Sequence, residues 1–237
     1  MKKQIYTFLL LILCASFAQA KGKWKIYNSV LDTSYVKHQG SLNYKLAIPI
    51  GAVAIGTGFA LDHTIHVNDS DHYQKEKAIA YLGDIKLLGP AAVTMALTGW
   101  AIKDEKLALT GQKSMEAMVG AAAVSALLKN SFNRARPYTQ EGPNSYYFFN
   151  RKGQDYRSFP SGHATLAFAF FTPLAENYSR WIYLVPAAVA VQRAVEKQHW
   201  PSDVIVGSII GWGMGYFIAH KKTRRLGFSE NGLCIYL

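Results

Sequence analysis

The chain has 237 residues, half of them hydrophobic, and carries 26 Lys and Arg against 15 Asp and Glu, a formal net charge of +11. That length suits one domain with a substantial core and gives no sign of a second catalytic domain. The charge favours anionic partners; with so apolar a chain and no nucleic-acid motif, phosphorylated small molecules or anionic lipid surfaces fit better than nucleic acid.

Met1-Lys2-Lys3 is a basic start, Ile5 to Phe17 is a run of 13 residues without charge, and Ala18-Gln19-Ala20 has small residues at both recognition positions. Residues 1–20 therefore predict a cleavable signal peptide and an exported protein. A short membrane anchor is the alternative, although the run falls short of the ~20 residues of a spanning helix. Cleavage would remove Lys2 and Lys3, leaving +9, and also Cys14, so that Cys234 stands alone and no intrachain disulfide is possible. Residues 21–45 are mixed and basic and read as a surface segment.

Six apolar stretches follow: Leu46 to Leu61, Leu87 to Ile102, Ala117 to Leu128, Ala164 to Ala175, Trp181 to Val191 and Val204 to Ala219. Each is long enough for a helix, Gly and Ala within them suit close helix packing, and no strand-like alternation competes. The expected fold class is all-α, a single bundle of about six core helices over residues 46–220, with 221–237 as a C-terminal tail. Leu46 to Leu61, Leu87 to Ile102 and Val204 to Ala219, like the other three stretches, contain no Asp, Glu, Lys or Arg, which favours lipid or deep burial; yet a mean hydropathy of +0.02 favours a water-soluble bundle. If all six spanned a membrane, the Lys-rich 21–45 segment and Lys221-Lys222-Thr223-Arg224-Arg225 would both face the cytoplasm. A cleaved signal would instead put Lys21 outside, and the two arrangements exclude each other. The expectation is an exported protein with its site on the outer, periplasmic side of the cytoplasmic membrane, either peripheral or with fewer than six spans.

Pro160-Ser161-Gly162-His163 opens the fourth stretch. Ser161 is a good helix N-cap, and the amides of Gly162 and His163, the Ser161 hydroxyl and the positive helix end would converge on an anion. His163 adds a proton donor that an anion site alone does not need. Upstream, Lys129 and Arg136 stand seven apart in Lys129-Asn130-Ser131-Phe132-Asn133-Arg134-Ala135-Arg136-Pro137, which on a helix places both cations on one face, with Pro137 marking its end. Downstream, Arg193 precedes His199 and Asp203, which are four apart; a carboxylate there can fix the tautomer of a His and leave its other nitrogen free. Asp62, His63, His66, Asp69, Asp71 and His72 form a cluster that could hold a metal, but without a recognised ligand spacing it reads as a solvated loop. The connection from Tyr138 to Phe159, with Tyr146-Tyr147-Phe148-Phe149, reads equally as a lipid-contacting lip and as local packing.

These three motifs, in this order and at these offsets, resemble the type-2 phosphatidic acid phosphatase and vanadium haloperoxidase superfamily. Lys129, Arg136-Pro137, Pro160 to His163, Arg193, His199 and Asp203 all match its signature, while Gln192 replaces the usual Ser. The resemblance implies a phosphatase acting on a phosphorylated lipid or small phosphomonoester. It gives His199 the role of nucleophile, Asp203 that of orienting it and His163 that of leaving-group acid. Lys129, Arg136, Ser161, Gly162 and Arg193 would hold the phosphoryl oxygens, with no metal and no cofactor. A soluble periplasmic acid phosphatase of broad specificity, a vanadate-dependent haloperoxidase and a non-catalytic phosphate-binding protein are the alternatives.

Overall fold

The structure is a computed structural model that describes residues 44–65, 78–150, 153–220, 225–229 and 232–236. The expected signal peptide, the basic segment up to residue 43 and His66, Asp69, Asp71 and His72 lie outside the described residues. Seven α-helices occur among the described residues: α1 Tyr44–Asp62, α2 Ala78–Tyr81, α3 Ile85–Ala101, α4 Glu105–Phe132, α5 Gly162–Asn177, α6 Leu184–Val195 and α7 Pro201–His220. Six of them are long and correspond to the six apolar stretches; α2 is a single turn.

Two boundaries differ from the sequence expectation. Helix α4 starts at Glu105, well before Ala117, because Asp104 caps it through the Leu107 amide at 3.0 Å and because its early buried face is built from Thr110, Gly111 and Ser114. Small polar residues can continue a buried helix face without registering as apolar. Residues Arg180–Tyr183 form a 3-10 turn, so α6 begins only at Leu184. The C-terminal tail also differs: β1 Arg225–Ser229 and β2 Gly232–Tyr236 pair antiparallel, with Arg225 opposite Tyr236 and Ser229 opposite Gly232. A two-residue connection before Gly232 suits such a hairpin, a local turn signal that hydropathy along the chain does not reveal.

The six long helices alternate in direction, so that α1, α4 and α6 run toward one end of the bundle and α3, α5 and α7 start from it. Contacts fix this order. Asp62, at the end of α1, bonds to the Ser202 amide at the start of α7, whereas Lys113 in α4 reaches the Ala219 carbonyl at the far end of α7. The core is built from Leu88, Ala92, Ala117, Met118, Ala121, Ala169, Phe170 and Ile218. So many alanines imply short interaxial distances, and α5 and α7 approach closely. A Cβ at Gly211 would lie 2.2 Å from the Thr165 carbonyl oxygen, and one at Gly207 would lie 2.6 Å from that of Ser161. Gly207 thus lets α7 press directly on the first turn of α5. Gly211→Val is expected to lower unfolding free energy by about 3 kcal/mol, while Gly213→Val, whose Cβ would meet nothing within 4 Å, costs much less. Denaturant unfolding of the two variants checks this.

Helix α1 is held on one side only. Leu46, Ile48, Ile50 and Val53 are each more than half exposed, and α1 packs on α7 near Gly58. Among the described residues, two helices are long and apolar enough to cross a membrane, Lys45–Asp62 and Pro201–His220.

Candidate active site

Helix ends gather at the end of the bundle where α4 and α6 finish and α5 and α7 begin. Lys129, Arg136, Gly162, His163 and His199 line one cleft there, of about 400 Å³, together with Gln154 and Arg157. Ser161, Arg193 and Asp203 lie buried around it, at 0%, 3% and 0% exposure. All eight site residues expected from the sequence are therefore brought to one place.

They arrive by a different route in one case. Lys129 and Arg136 do not share a helix face: α4 stops at Phe132, and Asn133 turns the chain with φ of 43°. Asn tolerates this left-handed conformation better than most residues, and its amide donates back to the Asn130 carbonyl at 3.1 Å. Beyond it, Arg136 is extended, with its Nε bound to the Gln154 carbonyl at 2.9 Å. Lys129 Nζ donates to the backbone oxygens of Arg157 at 2.8 Å and Pro160 at 2.5 Å, tying α4 to the cradle.

The cradle is the start of α5. Ser161 is the N-cap residue, yet its hydroxyl makes no capping bond and has no partner among the described residues. His163 Nε2 is likewise buried without one. With the first amides of α5 unused by the helix, these groups form a concave set of donors beside the cations.

His199 is 2% exposed, and its Nδ1 lies 2.8 Å from the Ser158 carbonyl oxygen. A carbonyl can only accept, so Nδ1 carries the proton and Nε2 keeps its lone pair. The expectation that Asp203 orients His199 directly is corrected: the closest approach is 3.9 Å. Asp203 instead accepts from Ser158 Oγ at 2.5 Å and the Trp200 amide at 3.0 Å, and so positions the residue whose carbonyl holds the ring. Burial, and then the charges of Arg136, Lys129 and Arg193, push the pKa of His199 well below the usual histidine value, so no ion pair with Asp203 forms near neutral pH. His163 is pushed down to about 4, first by burial and then by Arg193.

The sequence reading missed the residues behind Asp203. Arg134 is fully buried and donates to Asp203 Oδ1 at 2.5 Å, Asp62 Oδ2 at 2.7 Å and Ser202 Oγ at 2.6 Å. Asp62, expected in a solvated loop, is 1% exposed and also accepts from the Ser202 amide and hydroxyl. The rings of Tyr146, Trp200 and Phe59 enclose the guanidinium at 5.0, 5.4 and 5.8 Å. Nothing in the local sequence separates Arg134 from Arg136; only the folded chain sends one inward and the other to the cleft. Asp62 is 72 positions from Arg134, beyond any local pattern. The aromatic connection divides: Tyr146 and Phe148 pack on Phe132, which also meets Phe159, while Phe149 is 78% exposed.

A family model described as the PAP2 superfamily matches residues 113–226, which hold every one of these site residues except Asp62 and Phe59. Residues 113–226 are thus a PAP2 superfamily segment. Among curated proteins, the chain is 33% identical over 98 residues to the lipid A 1-phosphatase of Rhizobium johnstonii, covering 40% of each protein. It is 26% identical over 151 residues to the lipid A 1-phosphatase of Porphyromonas gingivalis, covering 58% of this chain and 31% of the relative. It is 32% identical over 114 residues to the lipid A 4'-phosphatase of Bacteroides thetaiotaomicron, covering 43% and 50%. The matched segments span half or less of each relative's length. The crystal structure of Aquifex aeolicus LpxE aligns over 70% of this chain and 94% of its own, at 22% identity and a TM-score of 0.48.

Charge in the PAP2 site is unbalanced when it is empty. Burial, then the neighbouring Arg136, lowers the Lys129 pKa to about 7. A bound anion offsets that repulsion and raises the pKa, so binding above pH 7 takes up a proton and weakens as pH rises. Sulfate, whose charge is constant over this range, is expected to lose up to tenfold in affinity per pH unit above 7. Calorimetry from pH 7 to 9 checks it, and Lys129→Arg should flatten the slope.

Proposed function

We propose that this protein is a metal-independent phosphatase that removes a terminal phosphate from a phosphomonoester or diphosphate, with lipid phosphates as its substrates and a phosphohistidine on His199 as intermediate. The observation that carries it is the His199 ring, with Nδ1–H given to the Ser158 carbonyl and Nε2 left as a nucleophile in a cleft that also holds Lys129, Arg136 and His163. In the first step Nε2 attacks phosphorus, a P–N bond forms, the P–O bond to the alcohol breaks, and His163 gives its proton to the departing oxygen. In the second, water attacks the phosphohistidine, His163 takes a proton from it, and phosphate leaves with the His199 ring restored. Lys129, Arg136, Arg193, Ser161 and the Gly162 amide hold the phosphoryl oxygens and offset the charge that develops on them. The depressed pKa of His163 belongs to the empty site; a phosphate dianion beside it supports the protonated form that the first step needs.

A lipid substrate is supported by the exposed apolar flank of α1 and by the relatives' names, which make lipid A phosphates leading candidates alongside phosphatidate. Helix α1 starts and α7 ends at the end of the bundle away from the cleft, and in sequence a basic stretch precedes the one and follows the other. By the tendency of Lys and Arg to remain cytoplasmic, this supports a site on the periplasmic side of the membrane. Among the described residues no apolar side chain lines the cleft itself, which favours a second reading in which soluble phosphomonoesters also fit.

Phosphate release by the full chain in detergent, from lipid A, phosphatidate and an aryl phosphate with chelator present, tests the proposal. Release from a lipid that is lost in His199→Ala supports it; release from the aryl phosphate alone favours the broad-specificity reading, and release from none overturns both. Exchanging Phe148 and Phe149, 58% and 78% exposed, for Ser is expected to lower kcat/KM on lipid vesicles by about tenfold more than on the aryl phosphate. Equal losses on both would remove the case for a lipid-contacting lip.

A further inference from the structure

Gln192 departs from the superfamily pattern, where Ser precedes the arginine of the third motif, and its surroundings contain an unusual charge. Gln192, Arg193 and Glu196 lie in or next to the last turn of α6 and are 8%, 3% and 4% exposed. A carboxylate buried at a helix C-terminus faces the negative end of the dipole and needs a compensating cation. Arg193 is that cation, but it is held at a distance: Glu196 Oε2 stands 3.6 Å from Arg193 NH1, longer than the roughly 2.7–2.9 Å of a charged hydrogen bond. The other carboxylate oxygen, Oε1, accepts from Gln192 Nε2 at 2.7 Å.

We propose that Gln192 is a tether that holds Glu196 back from Arg193, so that Glu196 offsets the charge of Arg193 in the empty site without locking it away from the phosphoryl group. Gln192 and Glu196 are then positioning residues acting through Arg193. The pair solves a problem of this site: Arg193 is buried beside the cleft that Lys129 and Arg136 line, and like charges gathered there are unfavourable until an anion enters. Glu196 relieves Arg193. Left untethered, however, a carboxylate this close would rotate both oxygens onto the guanidinium as a bidentate pair and compete with phosphate for it. A serine at 192 is too short to span to Glu196, so Gln192 and Glu196 belong together.

The inference rests on the proposed role of Arg193 in holding phosphate, and the experiment separates the two. Inorganic phosphate binding to the full-length protein in detergent is measured by calorimetry, with circular dichroism confirming the helical fold of each variant. Gln192→Met, which keeps the volume and loses the donor, is expected to weaken phosphate binding by about tenfold or more, and Gln192→Ser by a similar factor. In a Glu196→Gln background neither change should weaken binding further, because no carboxylate remains to close on Arg193. Glu196→Gln alone should bind phosphate at least as tightly as the parent. Equal losses from Gln192→Met in both backgrounds, no loss in either, or weaker binding by Glu196→Gln alone would each overturn the tether. Should both Gln192 variants fail to fold, the Glu196→Gln result still decides. If Arg193→Ala leaves phosphate affinity unchanged, the proposed role of Arg193 fails instead.

Discussion

His199→Ala is expected to lower phosphate release by at least about 10⁴-fold while leaving the helical bundle folded, because in the proposed mechanism it removes the atom that bonds to phosphorus and not merely a contact to the substrate. The expectation depends on geometry more than on the identity of the residue. A histidine whose proton could sit on either nitrogen would present a nucleophile only part of the time. Here the Ser158 carbonyl at 2.8 Å fixes the proton on Nδ1, and Asp203 in turn fixes Ser158 through its hydroxyl. Burial and the cations around it keep the ring neutral, so the lone pair on Nε2 persists at a pH where an ordinary histidine would be protonated. Loss of the ring also leaves the Ser158 carbonyl without that partner, a destabilisation of about 1–3 kcal/mol that a bundle of this size tolerates. Two measurements separate chemistry from folding: a melting curve, and acid quenching with radiolabelled substrate to look for an acid-labile phosphoenzyme. A folded His199→Ala protein with near-normal release would exclude His199 as nucleophile. A labelled enzyme lacking His199 would move the intermediate to another residue.

Arg134→Leu is expected to destabilise the protein by 3–5 kcal/mol, a range typical when one partner of a buried ion pair is removed. Arg134 has no exposure, and its loss strands two carboxylates, Asp203 and Asp62, each buried to within 1%. The Pro143 carbonyl, which accepts from Arg134 Nε at 3.0 Å, loses a partner as well. Asp62→Leu should cost a similar amount for the mirror-image reason, since part of the charge on Arg134 then goes unmatched. The double variant is expected to cost clearly less than the sum of the two, because the pair is removed together. Additive losses in a denaturant-based double-mutant cycle would mean that the two residues act independently. The network also joins fold to site: α1 meets the start of α7 through Asp62, and Arg134 carries that contact to the carboxylate that holds Ser158. Variants that survive should therefore lose kcat more than they raise KM, since the misplaced group supports the proposed nucleophile and not the proposed phosphate cradle.

Acid adds a further constraint on stability. His163 and His199 are held below the ordinary histidine value in the folded chain, so the unfolded chain binds protons more readily as pH falls below about 6.5. The stability these neutral rings contribute is present above that pH and is lost progressively on the way to pH 4. A bound phosphate that favours protonated His163 works in the opposite direction and should protect the protein over the same interval.

Read alone, the sequence determined the helical class, the six long helices and the eight residues that gather at the cleft. Those features are written locally: apolar runs of helical length, a serine and glycine before a helix, and charged residues at fixed offsets from a proline or a histidine. Chain order and spacing also sufficed to relate Lys129, Arg136, His163, Arg193, His199 and Asp203 to one chemistry. Tertiary structure alone decided how that chemistry is supported. The direction in which Arg134 and Arg136 point depends on the left-handed turn at Asn133, and the burial of Asp62 depends on α1 docking against Ser202, a partner 140 positions away. The His199 tautomer depends on a backbone carbonyl, which carries no side-chain signature. The early half of α4 escaped notice because Thr110 and Ser114 fill a buried face with polar atoms whose partners, Lys106 and Phe170 carbonyls, only the folded helices supply. Local patterns name the groups that meet substrate; the charges and carbonyls that hold those groups in place come from distant segments and become visible only when the helices pack.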